Sequence, residues 1–186
     1  MKNLFRKYTV ILSLLSFLLI LPVHYAHSQN IDELFGIKLF DNATKYVSSE
    51  YIESNKNKYR ETISGFYTLY MGDRVSSVYF DKIFIHIDDF NIIHTIYGKR
   101  IYPSEDRCIT FLKELVSKLE TKQQIQLDYV ELDYGTFSLK RYHKWVSNMS
   151  INIQCNYRYD PIEHSMLRFI RSEDIVDAIE EFYEQD

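Results

Sequence analysis

The stretch Ser150-Ile151-Asn152-Ile153-Gln154-Cys155-Asn156-Tyr157 decides the fold. Ile151, Ile153, Cys155 and Tyr157 alternate with Asn152, Gln154 and Asn156. A period of two puts the first set on one side of a pleated strand and the second on the other, which predicts one buried and one wet face. The preceding run, Phe137 to Val146, reaches this strand through Ser147, Asn148 and Met149, so the two read as a hairpin. Similar alternation upstream marks strands at Ile63 to Met71, Val78 to Ile87 and Ile92 to Ile101. Gly72-Asp73-Arg74 and Asp88-Asp89-Phe90-Asn91 separate them as turns, because Asp and Asn bond their own backbone and tolerate unusual φ. Met166 to Ile170 is a last short strand, and Thr121 to Asp133 fits neither period.

Helical spacing fills the remainder. Pro103 and Ser104 open the clearest helix, with Glu105 and Asp106 in the first turn, where negative charge suits the helix dipole. Cys108, Phe111, Leu112, Leu115 and Leu119 fall on one stripe that would pack on the sheet. A short N-terminal helix is expected behind Asp41 as N-cap, with Tyr46 and Val47 inward and a fresh start at Ser49-Glu50. Ser172 would cap a closing helix whose inner stripe is Ile175, Ile179 and Phe182. The predicted fold class is α+β, a curved antiparallel sheet backed by helices in the order α-βββ-α-βββ-α.

The N-terminus has the three parts of a secretory signal. Lys2, Arg6 and Lys7 form a positive region, Val10 to Leu21 an apolar run, and Pro22 ends it. That run is shorter than the roughly 20 apolar residues a spanning helix needs. Ala26 and Ser28 are small residues placed for cleavage before Gln29, so residues 1–28 are expected to be removed, leaving 29–186 as a single domain, periplasmic or secreted, with no stable membrane span after processing. Removal takes three basic residues and no acidic one, leaving 19 Lys+Arg against 26 Asp+Glu, a net charge of −7. Nucleic acid and anionic membranes are bound by clustered Lys and Arg, so this balance argues against both. Gly and Pro are scarce while Tyr reaches 16 residues. An AT-rich coding bias and strand propensity account for Tyr at that density, although it also suits a carbohydrate or peptide surface.

Candidate chemistry is sparse. The sequence contains no Gly-rich phosphate loop, no Gly-x-Ser-x-Gly elbow and no His-Glu-x-x-His pair, and no catalytic residue, metal ligand or cofactor is assigned. His86, Asp88, Asp89 and His94 surround one turn and have metal-binding side chains. Whether the two histidines share a face depends on a one-residue difference in turn length, so polar residues on a wet hairpin are the simpler reading. Asp128, Glu131 and Asp133 are acids of the kind used in glycosidic hydrolysis when held at a set separation, but acidic pairs are common in such a chain. Arg141, His143 and Trp145 lie two apart on one strand and project to one face, forming a candidate ligand platform; a Trp filling the edge of the core is the alternative. Cys108 on the inward helix stripe and Cys155 on the inward strand face are compatible with a helix-to-sheet disulfide in an oxidising compartment, with two buried thiols as the alternative. A nucleophilic cysteine would need a base beside it, and nothing local supplies one.

Gly36-Ile37-Lys38-Leu39 leading to Asp41, Ile85-His86-Ile87-Asp88 with a hairpin into Ile96-Tyr97-Gly98, and then Cys108 and Cys155 together resemble small uncharacterised exported proteins of AT-rich marine bacteria. That resemblance implies the Cys108–Cys155 disulfide and the fold, and no activity. The order of a helix followed by strands is also similar to the periplasmic modules of outer-membrane assembly lipoproteins and of a β-lactamase inhibitor, which bind proteins, although this chain lacks the lipoprotein cysteine. The functional expectation is a non-enzymatic domain that binds an envelope protein or polymer. The alternative is a hydrolase of an envelope polymer using carboxylates or His86.

Overall fold

The computed structural model describes residues 31–56, 65–159 and 162–184. The leader, its cleavage point and the expected start of the first long strand at Ile63 lie outside the described residues, as do the side chains of Ile179 and Phe182. Two short strands, β1 (Glu33–Leu34) and β2 (Ile37–Lys38), form a hairpin. Phe35 and Gly36 turn it, both at positive φ. A 3-10 turn (Ala43–Lys45) and helix α1 (Ser49–Asn55) follow. Next come β3 (Tyr67–Tyr70), β4 (Lys82–Ile87) and β5 (Ile93–Tyr102), then α2 (Glu105–Gln123). The chain ends with β6 (Asp128–Asp133), β7 (Phe137–Val146), β8 (Met149–Tyr159), β9 (Ile162–Ser172) and α3 (Glu173–Glu184).

The α+β class and the antiparallel sheet stand as read from the sequence, and the element order is corrected. A two-stranded hairpin precedes the first helix, and four strands rather than three follow α2. The additional strand, β6, comes from the stretch without a clear period. It is an edge strand, exposed along most of its length, so it lacks the one-sided burial that makes alternation visible. The closing strand is also longer than Met166 to Ile170, because Ile162 to Ser165 pair with β8 although they carry polar residues. Val78 to Asp81 is not strand: Val78 is fully in water while Phe80 is buried, in a loop before β4. At the N-terminus the cap is Asn42, whose Oδ1 accepts from the Thr44 N–H at 3.0 Å. Asp41 accepts instead from Lys45 Nζ and the Tyr46 hydroxyl, and these two hydrogen bonds hold its carboxyl below the usual range.

The seven-stranded sheet has the order β3-β4-β5-β9-β8-β7-β6, with antiparallel pairing throughout. It is two meanders, β3-β4-β5 and β6-β7-β8-β9, joined along β5 and β9. After β5, at the centre, the chain must reach β6 at the far edge, four strand spacings or about 19 Å away. Helix α2, with 19 residues and therefore about 28 Å long, is sufficient to make that crossing over one face. Its side chain Ser104 caps it by accepting from the Arg107 N–H. The predicted stripe is buried through Cys108, Leu112, Leu115 and Leu119, joined by Val116, with Phe111 half-buried against Tyr79 and Tyr102. It packs on Ile151, Ile153, Met166 and Ile170, and the β1–β2 hairpin and α1 complete the same core through Leu34, Ile37 and Ile52.

The other face of the sheet departs from the expected wet surface. Asn152 and Gln154 are buried there, as are Leu139 and Phe169, which by register share their side. The two amides are accommodated by hydrogen bonds within the face: Asn152 Nδ2 donates to Ser150 Oγ at 3.2 Å, and Gln154 Nε2 donates to Asn156 Oδ1 at 2.8 Å. Alternation therefore predicted which residues share a side but not how much water each side meets.

Cys108 and Cys155 are bonded, Cα to Cα 6.0 Å, tying the first turn of α2 to β8 across 47 residues of chain. Gly98 on β5 faces the same core, and a Cβ there would lie 2.6 Å from Phe80 Cγ and 2.7 Å from Phe35 Cζ. Two predictions follow from these contacts. Replacing both cysteines by Ala should lower unfolding free energy in urea by about 4 kcal/mol, from the chain entropy of a loop of that length. Gly98→Ala should lower it by about 1–3 kcal/mol, since both rings must be displaced.

Candidate functional site

His86 and His94 do not converge. The ladder between β4 and β5 shifts by one residue, with His86 opposite Thr95 and Ile87 opposite Ile93, so His94 is the inserted residue of a bulge. His86 is buried on the second face, edge-on to Tyr97 at 5.2 Å between ring centres. No group of three or more His, Cys, Asp or Glu side chains among the described residues is arranged to hold a metal ion.

His94 instead enters a constellation that the sequence did not suggest. Its Nε2 is 3.2 Å from Asp88 Oδ2 and its Nδ1 is 2.9 Å from Ser172 Oγ. Asp, His and Ser in a hydrogen-bonded line are the groups of a serine hydrolase, yet two features point elsewhere. The nitrogens are exchanged relative to such triads, in which Asp meets Nδ1 and Ser meets Nε2. Ser172 also has no exposed surface, so an acyl group has no access to its Oγ. Asp88 Oδ1 meanwhile accepts from the Phe90 and Ile92 N–H groups at 2.9 and 2.8 Å, closing the β4–β5 turn. Phe40 and Phe66 stand edge-on to the imidazole. The network ties this turn to the junction of β9 and α3. Ser172, expected as a helix cap, is thus engaged with an imidazole 78 residues away in sequence.

The three acids weighed for glycosidic chemistry all lie on β6. Asp128 lies 3.7 Å from Lys144 Nζ, Glu131 lies 3.7 Å from Lys140 Nζ and accepts from the Tyr129 hydroxyl, and Asp133 accepts from the Gly135 N–H. Glu131 and Asp133 share a side, and Asp128 is on the other by register.

Arg141, His143 and Trp145 do share one side of β7, as their spacing requires. Each is opposite a polar residue of β8: Gln154, Asn152 and Ser150 respectively. Arg141 Nε donates to Gln154 Oε1 at 2.8 Å, which orients the guanidinium along the face, and partial burial pushes its pKa down. His143 is half-buried, whereas Trp145 keeps 48% of its surface in water. The register extends this row: Asp128, His143, Asn152, Phe169, Tyr97, Phe84 and Tyr70 are successive cross-strand neighbours over all seven strands. Phe84 stacks on Tyr97 at 4.9 Å and Tyr70 tilts against Phe84 at 5.2 Å. Beside the row, Tyr97, Phe137, Arg158, Glu163 and Leu167 line a groove of about 430 Å³ on this same face.

A second cleft, larger than this groove, lies on the opposite, helix-bearing face. Leu34 and Phe35 of the hairpin, Tyr79 of the loop before β4, Leu115, Lys118 and Leu119 of α2, and Arg168 of β9 line about 900 Å³. Among the described residues, its lining holds no histidine and one acid, Glu33, which is exposed. Nothing in the sequence distinguished Arg168, a charged residue within a strand, from a solvent-facing one.

No family model matches the chain, and no curated protein or solved structure matches it.

The Asp88–His94–Ser172 line should behave as a structural tie. Ser172→Ala is expected to cost about 1 kcal/mol in urea unfolding, the worth of one buried hydrogen bond. A fluorophosphonate probe should leave Ser172 unmodified in intact-mass analysis; an adduct on Ser172 would establish it as a nucleophile.

Proposed function

We propose that the protein is a non-enzymatic exported domain that binds a protein or polymer of the cell envelope through the β7 side of its second sheet face. The observation that carries this reading is the row Arg141, His143 and Trp145, with a half-exposed indole and a guanidinium pre-oriented by Gln154. An amphipathic ring and a planar, pre-set cation give contact area and directional hydrogen bonds at low cost in side-chain entropy. The neighbouring 430 Å³ groove, with Phe137 and Leu167 beside Arg158 and Glu163, extends a surface of mixed apolar and charged character. The engagement of Asp128 and Glu131 with Lys144 and Lys140, the burial of His86 and Ser172, and a helix-side cleft whose described lining holds one acid and no histidine weigh against the hydrolase alternative. Export is supported by the leader pattern and by the bonded cysteines, which persist in an oxidising compartment. Among the described residues, no helix is long and apolar enough to cross a membrane.

The test is capture of partners from the protein's own cell envelope. Simultaneous Arg141→Ala, His143→Ala and Trp145→Ala should weaken capture at least about tenfold, equivalent to about 1.4 kcal/mol, while leaving the unfolding transition within about 1 kcal/mol of the native one. Equal capture by the native and triple-variant proteins would reject the surface.

A further inference from the structure

Among the described residues Arg168 has no acidic partner, and its Nε is sealed from water and donates to no acceptor. The residue retains some accessible surface, which it turns to the 900 Å³ cleft as part of its lining. Burial alone pushes its guanidinium down to about 10, so it remains a cation at neutral pH. A cation partly withdrawn from water, with no counter-charge among the described residues, is a standing cost to the fold. A guanidinium in this setting offers planar, paired N–H donors that match a carboxylate or phosphate-like head.

The remaining walls supply the other half of a recognition site. Arg168 is the register partner of Gly98, and the missing side chain at Gly98 leaves room for the rings of Phe35 and Phe80 over the sheet. Phe35 is held there at φ 60°, a conformation that non-glycine residues adopt at a cost. Leu34, Leu115 and Leu119 continue the apolar wall, and Lys118 and Lys122 stand at the helix side. The volume is in the range of pockets that enclose small ligands. We propose that this cleft binds an amphipathic anion, a small negatively charged head on an apolar tail, with Arg168 holding the head and Phe35, Leu115 and Leu119 the tail.

Titration calorimetry on the purified protein tests this with four ten-carbon probes. Decanoate and decyl sulfate should bind one to one, whereas decanol and decyltrimethylammonium should bind at least about tenfold more weakly. The ratio of the two anions tells a carboxylate head from a sulfate- or phosphate-like one. Arg168→Met should weaken decanoate binding at least about tenfold and raise the melting temperature of the unliganded protein, since an apolar side chain replaces an uncompensated charge. Arg168→Lys should keep the preference for anions. The triple variant at Arg141, His143 and Trp145 should bind decanoate as the native protein does, which separates this site from the envelope-binding face. Equal binding of the neutral or cationic probe, undiminished binding by Arg168→Met, or binding of neither anion would each overturn the assignment.

Discussion

The pairing of β5 with β9 is the contact on which the rest of the molecule depends. It joins eight residue pairs, from Thr95 opposite Arg171 to Tyr102 opposite His164, and it is the only ladder of the large sheet, among the described residues, that connects the two meanders. Each meander is built from neighbouring strands and closes by local turns. The seam closes a loop of more than sixty residues and must be formed against its chain entropy. Helix α2 and the disulfide reduce that burden. The helix carries the chain over the face in a fixed direction, and the Cys108–Cys155 bond fastens its beginning to β8, the strand next to the seam.

Several of the polar and aromatic features lie along the same seam, while Arg141, His143 and Trp145 stand two strands away on β7. At one end His94 of β5 reaches Ser172 at the end of β9, and Asp88 joins them to the turn. Near the middle Gly98 opposes Arg168, which lines the helix-side cleft, and Phe35 of the N-terminal hairpin and Phe80 of the loop before β4 lie over Gly98. On the reverse side Tyr97 opposes Phe169, which links the aromatic row of the first meander to Asn152 and His143 of the second. One register thus serves both faces of the sheet, because successive residues of a strand point to opposite sides.

The Asp88, His94 and Ser172 arrangement shows why side-chain identity and distance are not by themselves chemistry. Hydrogen-bonded Asp, His and Ser are present at ordinary distances, but the hydroxyl has no exposed surface and the imidazole nitrogens are reversed. With His94 and Ser172 buried and Asp88 half-buried, their mutual hydrogen bonds satisfy polar atoms that would otherwise be costly. Arg168 is the converse case, a half-buried charge whose Nε finds no acceptor among the described residues.

Local pattern was enough to identify most elements. The alternation of Ile151, Ile153 and Cys155 and the stripe of Cys108, Leu112, Leu115 and Leu119 each report one buried side, and burial of one side is visible within a few residues. It also placed Arg141, His143 and Trp145 together, since the pleat alone requires it. The edge strand β6 escaped because exposure on both sides erases the period, and the β1–β2 hairpin escaped because two residues per strand are too few to show one. Register between strands distant in sequence was decided only by the tertiary structure. A bulge of one residue removed His94 from the ladder, and the seam set Arg168 opposite Gly98. Backbone hydrogen bonds are nearly indifferent to which residues they join, so the choice falls to packing of side chains from many elements at once.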